Sequence, residues 1–319
     1  MILSCETSRP RLTVLTESEP AAIALPGTDC LIRPNFRLAE LTSFRVGGIA
    51  DWFVTPRTTH DLQESLAWAG RHDVSVTVLG AGSNLLISDD GVPGLVVSSR
   101  YLKQTRFDES TGQFTASAGE PIPKLAWRVA KRGWQGFEWA VGIPGTVGGA
   151  VVMNAGAHRS AVADCLVNVR VMDKAGHILT LTPDILRYSY RHSSLQGSDY
   201  VVLDATFALN PGHDRAQVLA ATNANLQQRK QSQPYHLPSC GSVFRNPKPH
   251  AAGWLIEQLG LKGYQIGGAQ VAHRHANFIL NCGSATAQDI FNVIRYVQAQ
   301  VEEHWSLTLQ PEVKFLGEF

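Results

Sequence analysis

Two glycine-rich stretches hold the residues best suited to chemistry. The longer spans 139–157 and contains five glycines, Gly142, Gly145, Gly148, Gly149 and Gly156, with Pro144 fixing one φ angle and almost no charge. Glycine costs backbone entropy on folding, so a cluster this dense marks left-handed turns or a backbone approached closely by another group. A flat, phosphate-bearing ligand held by backbone N–H groups would be such a group. A tight structural turn into the Ala/Val segment that follows explains the same pattern, and the stretch alone does not choose between them. The shorter stretch, Gly80-Ala81-Gly82-Ser83-Asn84-Leu85-Leu86, leaves an alternating run of Val74, Val76 and Val78. It invites the dinucleotide fingerprint G-x-G-x-x-G and fails it, because Leu85 stands where the third glycine is needed for close helix–strand packing. Ser83 and Asn84 offer side-chain hydrogen bonds and N–H groups in a turn. This reads as a pyrophosphate-binding loop of a non-Rossmann type, with an ordinary Gly-Ser-Asn turn as the rival.

Other chemistries find less support. Cys5, Cys30, Cys165, Cys240 and Cys282 are dispersed and form no C-x-x-C pair, which argues against a disulfide framework or a zinc site and for a reducing cytosol. His273 and His275 can share one face of a strand, but no third ligand is placed near them and H-E-x-x-H is absent, so no metal is expected. G-x-x-x-x-G-K-[S/T] is also absent. A net charge of +1 with scattered Lys and Arg gives no global field for nucleic acid or a membrane. No apolar run reaches the roughly 20 residues of a membrane span, and the N-terminus has no apolar h-region, so a cytoplasmic protein is expected.

The elements that must position these loops follow from periodicity. At 319 residues, 44% of them hydrophobic, the chain is long enough for two or three cored domains. Residues 1–35 mix Ser, Thr, Pro and Glu without period and read as a mobile tail. Strands are expected at 52–54, 74–78 and 94–97, with a helix between the first two opened by a Thr58/Asp61 capping box. A strand at 114–118 and a helix from Pro121 to Gly133 follow. Strands at 166–172, 177–181 and 200–209 come next, the first two joined by the Lys174-Ala175-Gly176 hairpin. Composition shifts after Pro211, which places a domain boundary near 210. Beyond it come a helix ending at Gln228-Arg229-Lys230, a short helix at 254–259, a strand at 275–281, and a long helix opened by Thr286/Asp289.

Seven segments, taken together, carry a family resemblance: TSFRVGG (42–48), GAGSNLL (80–86), GIPGTVGGAVVMNAGA (142–157), YRHSS (190–194), GSVFRNP (241–247), AGWLIEQLGLKGYQIGGA (252–269) and PEVKFLG (311–317). In this order the chain resembles the UDP-N-acetylenolpyruvoylglucosamine reductases, the MurB flavoenzymes, from about 38 to the end. The first three segments are shared with the wider FAD domains of the vanillyl-alcohol and p-cresol oxidases; the last four are more specific. The stretch between Arg191 and Ser242 is short and lacks an inserted loop with a clamping tyrosine, so the resemblance is to the type II form.

That resemblance implies an α+β protein. Residues 36–100 and 101–210 would be the two subdomains of an FAD-binding domain of the p-cresol oxidase (PCMH) type, and 211–319 a C-terminal substrate-binding domain, with 311–319 packing back near the active site. It implies non-covalent FAD, NADPH as co-substrate, and reduction of UDP-N-acetylglucosamine enolpyruvate to UDP-N-acetylmuramate by a cytoplasmic monomer. The cofactor contacts would be Gly80, Ala81, Gly82, Ser83, Asn84, Leu85, Gly142, Ile143, Pro144, Gly145, Gly148, Gly149, Asn154, Gly156 and Ala157. Arg191 would stabilise developing enediolate charge, Glu312 would share or donate a hydrogen bond beside it, and Ser242 would protonate the carbon. Tyr190, Arg229, Lys230, Asn246 and Gln265 would contact substrate. Singly, Arg191 is as well a surface ion-pair residue, Ser242 a turn serine and Glu312 a solvated strand end. The alternative is another FAD-dependent oxidase or reductase on the same scaffold.

Overall fold

The structure, a computed structural model, describes residues 21–319. Its first lobe contains β1 (Ile23–Ala24), β2 (Leu31–Arg37), β3 (Ile49–Val54), α1 (Thr59–Arg71), β4 (Val76–Leu79), β5 (Leu85–Ile87) and β6 (Val92–Ser98). The sheet order is β1-β2-β3-β6-β4, with β3 and β4 both parallel to β6 and the first two strands antiparallel. A parallel pair needs a crossover. Here it is α1, and both halves of the Thr58/Asp61 capping box form. The mobile tail expected over 1–35 is corrected from 21 onward, because β1 and β2 add to the sheet edge and Leu25, Cys30 and Ile32 are buried. The apolar residues there are broken up by Pro26, Gly27 and Pro34 and show no period. Residues 1–20 lie outside the described residues.

The second lobe is an antiparallel sheet of order β12-β11-β13-β8-β7. Its strands are β7 (Thr105–Asp108), β8 (Gln113–Ser117), β11 (Leu166–Met172), β12 (Ile178–Leu181) and β13 (Val201–Ala208). Around it lie α2 (Ile122–Ala130), α3 (Val147–Met153), the two-residue hairpin strands β9 (Gly156–Ala157) and β10 (Ser160–Ala161), α4 (Pro183–Leu186) and α5 (Arg215–Ser232). An aromatic cluster of Phe114, Phe137, Phe207 and Trp134 centres this core. Met172, Val201 and Leu203 of this sheet pack with Leu62, Leu66 and Trp68 of α1, so the two lobes share apolar surface.

The boundary expected near 210 is misplaced. Helix α5 packs on α2 and on the 3-10 turn Glu138–Gly142, so it closes the second lobe. Only Val218 and Thr222 of α5 are buried, and so polar a helix reads as the start of a new unit. The third unit comprises α6 (Ala252–Gln258), β14 (Gln265–Ile266), β15 (Ala269–Val271), β16 (Ile279–Asn281), α7 (Ala287–Trp305) and β17 (Lys314–Leu316). The apolar face of α7, including Ile290, Ile294 and Val297, packs into a core that Phe44, Val46 and Leu86 of the first lobe help to fill. Strand β17 leaves this unit and pairs in parallel with β5. The strand expected over 275–281 shortens to β16, because residues 272–278 turn and His275 Nδ1 accepts the Asn277 N–H. Among the described residues no helix is long and apolar enough to cross a membrane.

Candidate active site

The two glycine loops interlock. Ser83 Oγ donates to Pro144 O at 2.9 Å across 61 positions. A Cβ on Gly80 would sit 2.8 Å from Thr146 Oγ1, and one on Gly82, at φ +63°, 2.1 Å from Leu41 O. Only glycine permits these approaches. Among the described residues the N–H groups of Ala81, Gly82, Ser83 and Asn84, and of Gly145 and Thr146, donate to no protein oxygen. Consecutive free N–H groups in a turn form an anion-binding concavity. The Thr146 hydroxyl is buried without a partner between Gly80 and Gly149. Buried polar groups are normally satisfied, so this orphan and the free amides fit a bound flavin dinucleotide. Gly142 leaves room for Arg229, whose Cδ would lie 2.3 Å from a Cβ there and whose Nε is also buried without a partner.

Arg191, Ser242 and Glu312 are brought together from three distant segments. Arg191 Nε donates to Glu312 Oε1 at 2.8 Å and its Nη2 to Gly156 O at 2.7 Å. Arg191 itself has φ +55°, a left-handed conformation that persists in a non-glycine residue only where the surroundings impose it. They do so here. Asn154 Nδ2 donates to Ser189 O, Ser193 Oγ to Val152 O, and Gln196 Nε2 to Arg191 O. The Glu312 N–H donates to Val243 O at 2.7 Å, which sets Glu312 beside the residue after Ser242. Burial pushes the Glu312 carboxyl above the usual carboxylate range, against the pull of Arg191 and then Arg245. Lys314 is held below its usual value by burial and by Arg245. Arg245 Nη2 donates to Arg191 O, while its Nε is buried and unpaired. Arg191 and Arg245 thus act on one half-buried carboxylate and Lys314 lies close to Arg245, an arrangement suited to an anionic substrate.

Some expected cofactor and substrate residues have other tasks. Asn84 Nδ2 donates to Glu312 O at 3.0 Å, and Asn84 O accepts the Lys314 N–H. Its side chain therefore ties the glycine loop to the segment that carries Glu312. Asn154 is likewise spent on Ser189 and on the Ala163 N–H. Leu85 pairs in the β5–β17 ladder, Ile143 packs against the second-lobe core, and Gly156 and Ala157 form the β9 hairpin. Gly148 is needed for contact with Ala118, 3.0 Å from its would-be Cβ.

Tyr190 is exposed beneath Arg191, whose guanidinium lies 5.0 Å from its ring. Lys230 is exposed at the end of α5, and the exposed Asn246 accepts the Ala252 N–H at the start of α6. Gln265 bonds to Gly267 O and Gln270 within its own hairpin, and no contact ties it to the Arg191–Glu312 pair. Thr146, Arg245 and Lys314 were missed in the sequence, although each lies inside a motif already singled out.

Residues 233–316 match the model of the UDP-N-acetylenolpyruvoylglucosamine reductase C-terminal domain, and 50–182 match an FAD binding domain. A UDP-N-acetylenolpyruvoylglucosamine reductase of Trichormus variabilis is 62% identical over 301 residues, 94% of this chain and 91% of that protein. One from Acaryochloris marina is 58% identical over 305 residues, 96% of this chain and 99% of its own length. The crystal structure of UDP-N-acetylenolpyruvylglucosamine reductase from Thermus caldophilus superposes with a TM-score of 0.77 at 33% identity, covering 90% of this chain and all of that one.

Proposed function

The chain belongs to the UDP-N-acetylenolpyruvoylglucosamine reductase family, and from that premise we propose how its residues divide the reaction. The protein is an FAD-containing oxidoreductase that reduces UDP-N-acetylenolpyruvoylglucosamine in peptidoglycan synthesis. NADPH is the nicotinamide reductant, the product is the D-lactyl ether UDP-N-acetylmuramate, and the enzyme acts as a cytoplasmic monomer. Bound FAD supplies the two-electron relay between the nicotinamide and the enolpyruvyl double bond.

The residues act around that relay. The free N–H groups of Ala81–Asn84, with Gly145 and Thr146, bind the cofactor through the backbone. Arg191 meets the charge that develops on the substrate carboxylate as the vinyl carbon receives hydride, since preorganised charge of this kind is usually the largest catalytic contribution. Glu312 keeps the Arg191 fork oriented, and its carboxyl, raised by burial, shares a hydrogen bond with that carboxylate when it carries a proton. Ser242 delivers the proton to the adjacent carbon. A serine hydroxyl is a weak acid, and the cations Arg245 and Lys314 nearby ease the transfer. Tyr190, Asn246, Gln265, Lys230 and Arg229 line the approach of the sugar nucleotide or its diphosphate. The observation that supports this reading most is the Asn84–Glu312 hydrogen bond, which sets the glycine loop and Glu312 side by side.

An anaerobic visible spectrum tests it. The purified protein should be yellow, bleach with NADPH, and regain colour with UDP-N-acetylglucosamine enolpyruvate. Recovery of colour with air alone would transfer the reading to an oxidase on the same scaffold.

A further inference from the structure

Arg100 has no assigned task, and its surroundings give it one. It sits in the 3-10 turn Ser99–Tyr101 just past the C-terminal end of β6. Strand β4 lies beside β6 in parallel, Leu79 opposite Ser98, so Arg100 stands next to the loop that leaves β4. Its Nε donates to Gly80 O at 2.9 Å, and its Nη2 to Ala81 O at 2.7 Å and to Leu41 O. Ser43 N donates to Gly82 O at 3.0 Å, which fastens the same loop from the 42–48 segment.

The direction of these bonds matters. In a planar trans peptide the N–H points opposite to the C=O. With the Gly80 and Ala81 carbonyls turned onto the guanidinium, the N–H groups of Ala81 and Gly82 must point away from it. These are among the amides that donate to no protein oxygen. Arg100 is half-buried and, among the described residues, makes no ion pair. Burial lowers its pKa, yet a guanidinium stays charged. A cation withdrawn from water without a counter-charge is unfavourable, and an anion across the loop would offset that cost.

We propose that Arg100 is the positioning residue of the cofactor's diphosphate loop: it holds the Gly80 and Ala81 carbonyls inward so that the amides of 81–84 face a diphosphate, and it sets a positive charge behind them. The inference rests on the reading of this loop as the FAD diphosphate site. Lysine cannot replace it fully, because an ammonium lacks the planar fork that reaches several carbonyls at once.

The test uses the FAD-free full chain, wild type against Arg100→Met and Arg100→Lys. FAD binding is followed by quenching of flavin fluorescence, with ADP and adenosine as competitors and with the melting temperature of each apoprotein. In the wild type ADP should compete far better than adenosine. Arg100→Met should weaken FAD by roughly tenfold or more and abolish the preference for ADP, since bonds to charged groups carry effects of that size. Arg100→Lys should restore the preference in part and the affinity incompletely. Loss of apoprotein stability with the ADP preference intact would make Arg100 a merely structural residue and overturn the proposal. Unchanged FAD affinity in Arg100→Met, or in Arg100→Lys should the methionine variant not fold, would overturn it as well. A wild type that prefers adenosine, or binds the two alike, would instead remove the diphosphate reading on which it rests.

Discussion

The cofactor side and the substrate side of the site present polarity in different ways. At 81–84 and at Gly145 and Thr146 the groups left free are backbone amides. Around Glu312 the groups are side-chain charges, with Arg191 and Arg245 acting on one half-buried carboxylate and Lys314 close to Arg245. Amides are dipoles fixed by the fold and do not titrate. Charged side chains must be oriented by neighbours and respond to pH. Damage on the cofactor side should therefore appear as lost FAD affinity, and damage on the substrate side as a slow second half-reaction with the flavin still bound.

The strongest test of that contrast is Ser242→Ala. Loss of a general acid costs about 10²–10⁴ in rate, so reoxidation by the enolpyruvyl sugar should collapse while NADPH still bleaches the flavin. Stopped-flow absorbance separates the steps, and normal reoxidation would take Ser242 out of the mechanism. Arg191→Ala comes next. Its reoxidation rate should fall roughly 10²–10³-fold, as for one lost oxyanion contact, with FAD content unchanged; an unaltered rate would leave Arg191 a structural role only.

On the opposite side, Gly82→Ala must place a methyl 2.1 Å from Leu41 O at φ +63°. Stability in urea should drop by about 1–3 kcal/mol and FAD content should fall, while the rate per bound flavin holds. A per-flavin rate that collapses would blur the division. Asn84→Ala removes a side-chain bond across it. Reoxidation should slow by about three- to tenfold, the worth of one hydrogen bond, with FAD affinity nearly intact; the reverse pattern would return Asn84 to the cofactor.

The smallest effect is in pH. Burial raises the Glu312 carboxyl, so the protonated form persists above the usual carboxylate range. Reoxidation should decline as pH rises through that raised value, and Glu312→Gln should flatten the decline. The stability contribution has the same sign. A carboxyl raised on folding stabilises fully below its unfolded pKa, and that contribution is lost as pH climbs through the folded one. Denaturation of wild type and Glu312→Gln across this window would diverge with pH; parallel curves would place the titration elsewhere.

Local order was legible wherever the determining residues are neighbours in the chain. Both capping boxes, Thr58/Asp61 and Thr286/Asp289, form as their spacing requires. Strands β11, β12 and β13 fall where alternation placed them. The glycine loops declared themselves because close approach tolerates no Cβ, a constraint written in residue type alone. Family resemblance named Arg191, Ser242 and Glu312 together, which no single spacing could do, since they meet across as many as 121 positions.

The tertiary structure decided matters that depend on which surface meets which. It assigned α5 to the second lobe, although the helix is too polar to announce its partner. It drew 21–35 into the first sheet, where the edge of β3 supplies hydrogen bonds that the segment cannot make by itself. It also turned Asn84 toward Glu312 and Arg100 beneath the glycine loop. An asparagine or arginine is compatible with many partners, and the choice among them is made by the positions of distant backbone carbonyls. Those positions exist only once the three units have packed, whereas glycine loops, caps and apolar periods were determined by the sequence itself.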